Sequence, residues 1–237
     1  MRIDILTLFP EMLEATLATS IIKRAQDGGQ VEIFVHDIRD WAENKHRKVD
    51  DRPFGGGPGM VMMCQPLHDA VTEVERQYTD SPVRIHFTPQ GEVLKQERVE
   101  KLAREMHLLL IAGHYEGIDE RVIETLDPLE LSTGDYVLSG GEIPALLLVD
   151  AVVRLLPGVL GHSDSAGQDS FSKRGSNGER QLDCPHYTRP RVWNEMEVPQ
   201  VLLSGDHDAV DQWRQKQMTE RTTSRRPDLQ GNEEVDP

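Results

Sequence analysis

The sequence predicts an α/β domain built on a largely parallel sheet, followed by a smaller helical region. Three observations carry this. Over the first 160 residues, short runs of period-two apolar alternation are separated by segments of period 3.6. A stretch rich in Ser, Gly, Asp and Asn, from Asp164 to Gly178, then interrupts both patterns. After Pro190 the helical period returns.

Arg2–Leu8 alternates toward an apolar face, and Pro10 stops it, so a first strand is expected there. A helix follows and ends at Gly28-Gly29. Val31–His36 reads as a second strand, and Asp40–Gly59 as a polar and then glycine-rich loop. Pro66–Arg76 is an expected helix, Val83–Phe87 a strand, Lys95–Glu105 a helix and His107–Ala112 a strand. Gly141–Leu156 is an apolar helical segment, and Pro144 is tolerated in its first turn. Asp206–Thr219 is the expected helix of the last region, and GNEEVDP at the end is expected to fray. No internal repeat is visible.

Hydrophobic residues make up 37% of 237, enough for a real core. Aromatics are only 5%, so that core rests on Leu, Val, Ile, Ala and Met. The formal charge of −15 argues against a polybasic nucleic-acid binder. It does not exclude an enzyme acting on nucleic acid, because the field at a site matters more than the total. Two cysteines, Cys64 and Cys184, cannot form a disulfide framework, which points to a reducing compartment. The longest charge-free apolar run, Ile143–Val149, is far below the roughly 20 residues of a membrane span. The N-terminus lacks the basic and long apolar segments of a signal peptide, so a cytoplasmic protein is expected.

Three segments can carry chemistry. In HRKVDDRPFGGGPGM, His46–Met60, glycines let the backbone approach a ligand. There His46, Arg47, Lys48 and Arg52 can meet phosphates, and Asp50 and Asp51 can accept bonds from a base. The plain alternative is a mobile surface loop; the spacing fits neither a Walker loop nor GxGxxG. IAGHYEGIDERV, Ile111–Val122, follows a buried-looking strand, where open α/β sheets bind ligands, or is a simple turn capped by Asp119. In STGDYVLSGGEIPA, Ser132–Ala145, two glycine turns bracket Tyr136-Val137-Leu138 and can hold an adenine edge and face, or merely join two elements. From Ala112 to Asp150 nine acids face only Arg121, a net of −8 that suits a cationic ligand or a solvated face.

Isolated residues say less. Arg154 stands four positions after Asp150, either as a helical ion pair or as a cation aimed into a cleft. Asp169 can cap a short helix near Ser170. Cys184-Pro-His186 has no matching pair for a four-ligand zinc site. Arg214, Lys216, Arg221, Arg225 and Arg226, preceded by Arg189 and Arg191, make the C-terminal stretch basic and suited to a phosphate backbone.

Taken together, LTLFPEM, HRKVDDRPFGGGPGMVMM, GHYEGIDERV, GDYVLSGGE, LPGVLGH, DSF, LDCPHYTRP, EVPQVLLSG and RRPDL resemble the bacterial tRNA (guanine-N1-)-methyltransferases of the TrmD type. The blocks stay in register from Arg2 to about Leu229. The resemblance implies a SPOUT fold whose sheet domain is tied in a deep trefoil knot, a feature composition and periodicity do not reveal. It implies a cytoplasmic homodimer whose active sites span the interface. The implied reaction moves a methyl group from S-adenosylmethionine to N1 of the guanine immediately 3′ of the tRNA anticodon, preferably after another guanine, which protects the reading frame. Two other readings remain open: a SPOUT enzyme acting on another RNA site, and a non-catalytic RNA-binding module.

Residue by residue, the resemblance places Pro89, Gly113, Tyr115, Glu116, Thr133, Gly134, Asp135, Tyr136, Val137, Leu138, Gly140, Gly141 and Pro144 in the cofactor pocket. It places Asp50, Arg52, Gly55, Gly57, Ser165 and Asp183 against tRNA. Asp169, from the partner subunit, is the implied general base, and Arg154 the cation at guanine O6. Magnesium is implied as well, with Glu116 as the residue that answers to it. The implied division is a methyltransferase domain over 1–160, a flexible linker over 161–187 and a helical tRNA-binding domain over 188–237. SKRGSNGER is longer than in relatives, Gln168 stands where many carry an acid, and the chain stops soon after RRPDL.

Overall fold

The structure is a computed structural model that describes residues 1–160, 167, 169–173, 175 and 178–230. Two compact units divide the chain, Met1–Gly161 and His162–Pro237. In the first unit β1 (Arg2–Thr7) leads to α1 (Pro10–Leu17) and α2 (Ser20–Asp27). β2 (Glu32–Asp37) runs into a single 3-10 turn, Ile38–Trp41. A two-residue ladder, β3 (Asp50–Asp51) with β4 (Val61–Met62), closes the glycine-rich loop before α3 (Cys64–Arg76). Then come β5 (Val83–Val93), α4 (Gln96–Leu102), β6 (His107–Ile111), α5 (Glu120–Leu126), β7 (Leu129–Ser132) and α6 (Glu142–Val153).

The five long strands form one sheet in the order β2-β1-β6-β5-β7, every pairing parallel. The period-two pattern explains both faces. Ile3 and Ile5 of β1, with Leu108 and Leu110 of β6, join one core against α1, α2, α4 and α6. Leu6, Leu109 and Ile111 point the other way, against α3 and α5. Strands buried on both faces are expected of a parallel sheet.

Several elements differ from the sequence expectation. The first helix is two helices, because Thr19 is extended (φ −130°, ψ 164°) and its hydroxyl donates back to the Thr16 carbonyl. β5 runs on through Pro89 to Val93, with a shift of register between Phe87 and Glu92 that lets the strand pass its β7 partner. α5 and β7 are too short to show a period. α6 is apolar over most of its surface: Ala145, Leu148, Val149, Val152 and Val153 are buried, while Ile143 (52%) and Leu147 (44%) are exposed on the face that also carries the exposed Asp150.

In the second unit, α7 (His207–Arg225) is longer than expected and begins at Asp206, whose carboxylate accepts from Ala209 N–H. A hairpin, β8 (Val192–Trp193) with β9 (Met196–Glu197), turns through Asn194 and Glu195, both at positive φ, as a tight hairpin requires. Part of the stretch expected as a linker packs on α7. Leu182 N–H donates to Oγ1 of the fully buried Thr222 (2.9 Å), and Gln215 Nε2 donates to Oε1 of the buried Gln181 (2.9 Å).

Among the described residues no helix is long and apolar enough to cross a membrane.

Candidate active site

A cleft of about 340 Å³ opens in the first unit where β5, β6 and β7 give way to loops. Ligands gather at the carboxyl ends of strands in open α/β sheets. Its walls are His86–Gln90 of β5, Gly113–Gly117 after β6, Leu131–Gly134 at the end of β7, Tyr136–Gly141, and Pro144 in the first turn of α6. The two glycine-bracketed turns recognised in the sequence are fastened together. Gly141 N–H donates to Gly113 O at 2.7 Å, and His114 and Gly140 pair as an antiparallel bridge. Gly141 is needed for closeness, since a Cβ there would lie 2.7 Å from Ala112 Cα. Its φ of −82° is ordinary.

The glycine-rich loop reaches the same place. Glu116 N–H donates to Met60 O (3.0 Å) and Met62 N–H to Gly117 O (2.9 Å). The Glu116 side chain occupies the space that a Cβ on Gly59 would take.

Of the residues expected around a cofactor, Pro89, Gly113, Tyr115, Glu116, Thr133, Gly134, Tyr136, Val137, Leu138, Gly140, Gly141 and Pro144 line this cleft; Asp135 does not. Val137 (86%), Tyr136 (52%) and Leu138 (40%) present apolar surface to solvent, and Tyr136 Oη donates to Thr133 O (3.1 Å). Sequence reasoning missed His86, Phe87, Thr88, Gln90 and Leu131, and took in His114 and Ser139 only as members of their segments. Burial holds His86 below the ordinary histidine range, which favours the neutral ring, and its Nδ1 finds no hydrogen-bond partner among the described residues. An orphan acceptor in a cleft wall becomes visible only once the chain is packed.

The residues expected to meet tRNA fall in several places. Asp50 is half-buried in β3, and Arg52 is exposed, its backbone N–H donating to Asp51 Oδ1 at 2.8 Å. That bond, with the Lys48 side chain, holds the Asp51 carboxyl below the usual range. Gly55 and Gly57 have φ of 86° and 118°, with open space where a side chain would go. Ser165 and Gln168 lie outside the described residues.

Asp183 stands in the second unit. Its backbone N–H donates to Ser170 Oγ at 3.0 Å, beside Asp169. Burial opposes its ionisation, yet His186 Nε2 (2.8 Å) and the Cys184 N–H (2.6 Å) outweigh that and hold its pKa low. Asp169 is half-buried in a turn that Ser172 N–H closes onto its carbonyl (3.1 Å). Arg154 is the C-terminal cap of α6, and its N–H donates to Asp150 O at 3.3 Å.

The sequence profile described as tRNA (Guanine-1)-methyltransferase TrmD matches residues 1–232. The chain belongs to this family. It is 54% identical over 230 residues to the tRNA (guanine-N(1)-)-methyltransferase of Moorella thermoacetica, covering 97% of this chain and 90% of the relative. It is 51% identical over 227 residues to that of Alcanivorax borkumensis, covering 96% and 84%. With that of Ruminiclostridium cellulolyticum it shares 49% over 229 residues, covering 97% and 96%. The chain is thus an enzyme of a methyltransferase family that uses S-adenosylmethionine.

The cleft fits such a donor. It offers backbone N–H and C=O groups on glycine turns, apolar side chains, and one carboxylate, Glu116, for a sulfonium cation. Magnesium has less support. Among the described residues, one cluster of three possible ligands occurs, Asp183, Cys184 and His186, a mixed donor set unlike the all-oxygen shell of that ion. Glu116 is not part of it.

Proposed function

We propose that this enzyme methylates N1 of the guanine immediately 3′ of the anticodon in tRNA, with S-adenosylmethionine bound in the cleft of the first unit. The observation that carries the reading is the pair of glycine turns, Gly113–Gly117 and Thr133–Gly141, hydrogen-bonded to each other around a cleft in a chain of this family. The curated relatives are named for the same reaction at guanine N1 of tRNA.

S-adenosylmethionine supplies a methyl group made electrophilic by its sulfonium. The turns of this chain hold the donor through backbone groups, and Tyr136, Val137 and Leu138 cover its apolar faces. Guanine N1 carries a proton at neutral pH, so a base must take it as N1 becomes the nucleophile. Asp169 accepts that proton, which is worth roughly 10²–10⁴ in rate for a placed base. Charge then develops on guanine O6, and Arg154 opposes it, a contribution of about 3–4 kcal/mol for a well-aimed donor. Fixing N1 in line with the methyl supplies the rest through orientation.

We assign Asp169 to the partner subunit of a homodimer. Ile143 and Leu147, large apolar side chains exposed on adjacent turns of α6, support a partner there, since contiguous exposed apolar surface marks an interaction site. The proposed fold is SPOUT, its sheet domain threaded as a deep trefoil knot, with the basic C-terminal region against tRNA and the enzyme working in the cytoplasm on the reading frame. Magnesium is given no step, because Glu116 is a single carboxylate.

The test is methyl transfer from tritiated S-adenosylmethionine to a tRNA with guanine 3′ of its anticodon. Label at guanine N1 is expected, and its absence with the native protein overturns the proposal. Asp169→Ala is expected to keep donor affinity while losing methylation; loss of both together would assign Asp169 a structural role. Label appearing only on ribosomal RNA fragments would move the enzyme to another RNA site.

A further inference from the structure

Behind the cleft lies a buried polar contact that the reaction itself does not use. Glu142 is 2% exposed, an uncommon place for a carboxylate. Its Oε1 accepts from Thr7 Oγ1 at 2.8 Å, and the Thr7 oxygen in turn accepts from Phe9 N–H at 2.9 Å. Its Oε2 lies 3.7 Å from Nδ1 of His114, a ring nitrogen that is itself buried and makes no hydrogen bond among the described residues. One carboxylate thus touches the end of β1 and the turn after β6, and it sits on the first residue of α6. Gly140 lies directly over the pair. A Cβ there would overlap both the Glu142 carboxylate and the His114 ring.

We propose that Glu142 is a positioning residue for the donor site: it fixes the Ser139–Gly141 wall against the Gly113–His114 wall, so that the cleft is preformed before the donor arrives. This rests on the reading of the cleft as the S-adenosylmethionine site. The carboxylate gains little as a pure stabiliser, because burying it costs desolvation that one hydroxyl donor only partly offsets. Its placement makes sense as a fixed reference. The hydroxyl and the imidazole meet different oxygens of the carboxylate, and a Cβ at Gly140 would not fit beside them. Preorganisation of this kind raises affinity by removing the ordering cost from the binding step.

The experiment is isothermal calorimetry with S-adenosylhomocysteine, together with steady-state kinetics in both substrates and a urea unfolding curve for each variant. Glu142→Ala is expected to weaken donor binding about tenfold or more and to raise the KM for donor, with the KM for tRNA little changed. Glu142→Gln keeps an oxygen for the Thr7 hydroxyl and is expected to restore most of the affinity. Thr7→Val removes the same bond and also the acceptor of Phe9 N–H, so the loss of donor affinity in the double variant with Glu142→Ala is expected to be smaller than the sum of the two single losses. A purely structural role would lower the unfolding midpoint and the active fraction without moving the KM for donor.

The proposal is overturned if Glu142→Ala binds donor as the native protein does, or if Gln fails to rescue. It is also overturned if the two substitutions simply add. Gly134→Val, whose added side chain would run into the Tyr136 ring of the cleft wall, separates the two readings. If it leaves donor binding intact, the site assignment has failed. If it abolishes binding while Glu142→Ala does not, only the positioning role has failed.

Discussion

Replacing Gly141 by alanine should cost more than its single methyl group suggests. The residue has ordinary helical φ and ψ, so no backbone strain enters. The new Cβ would stand 2.7 Å from Ala112 Cα and 3.0 Å from Gly113 N, atoms of main chain rather than of a side chain that can swing away. Ala112 is fully buried, and its N–H is tied to Leu6 O at 2.9 Å in the neighbouring strand. The first turn of α6 must therefore move out by several tenths of an ångström. Overpacking of this sort costs about 1–3 kcal/mol. The shift also stretches the Gly141 N–H to Gly113 O bond, worth about 1 kcal/mol. Together that is about 2–4 kcal/mol in a urea unfolding experiment, with S-adenosylhomocysteine affinity falling about tenfold or more in calorimetry. Gly117→Ala is the control. Its φ of 138° carries strain while the space around it is open, so about 1 kcal/mol or a little more is expected, with no steric displacement. The reasoning fails if Gly141→Ala unfolds within about 0.5 kcal/mol of the native protein and binds donor normally.

Four further outcomes are expected. Asp4 is fully buried, its carboxylate shared by Arg2 (2.6 Å), His36 (2.7 Å) and His107 (2.8 Å). Burial opposes its ionisation but those bonds outweigh it and hold the pKa below 3.8, so this stability is present above pH 3.8 and lost as pH falls through the lower folded value. Urea midpoints measured from pH 7 down to pH 2 should show that loss, and Asp4→Asn should remove it at a cost of about 3 kcal/mol at neutral pH. Thr222→Val leaves the Leu182 N–H unpaired and should cost about 1–3 kcal/mol in unfolding, while Thr222→Ser restores most of it. Ile143→Asp with Leu147→Asp should yield monomers in sedimentation and lose methyl transfer; an active dimer would place the interface elsewhere. Arg154→Ala should lower kcat by roughly two orders of magnitude with donor affinity kept, and an unchanged kcat would remove it from O6.

The strands that sequence patterning recovers best include β1 and β6, because both faces of each are packed and leave a dense apolar record, and β2, a partly buried strand at the sheet edge. Ile3, Ile5 and Leu6 of β1 are fully buried, as are Leu108–Ile111 of β6. β7 is only Leu129–Ser132, too short for alternation to stand out, and the continuation of β5 past Pro89 depends on a change of register with its neighbour. The turn of the β8–β9 hairpin lacks glycine and uses Asn194 and Glu195 at positive φ. The glycine turns of the cleft were legible because the chain there needs either positive φ, at Gly117 and Gly134, or close approach, at Gly140 and Gly141, which glycine gives. His86, His114 and Glu142 were not, since their meaning lies in contacts between segments far apart in the chain, as Thr7 and Glu142 show across 135 positions.

The order of strands explains why the cleft exists at all. β5 lies between β6 and β7, so the turns leaving β6 and β7 start with a strand between them. They meet because β5 shifts register between Phe87 and Glu92 at that level, and His86–Gln90 become the cleft wall instead of a continuous ladder. From β7, at the sheet edge, the chain then travels back across β5 to lie on β6, where Gly141 touches Ala112 and Gly113. Glu142 carries the contact one strand further, to Thr7 of β1. A chain that recrosses β5 to reach β6 after completing its sheet cannot be held by local turns. It needs fixed contacts at the crossing, and here those contacts are the glycines that admit close backbone and the one buried acid beyond them. The position of the cleft and the course of the chain behind it are therefore a single structural problem, and on the proposed reading a change that loosens the crossing should be felt first as a change in donor binding.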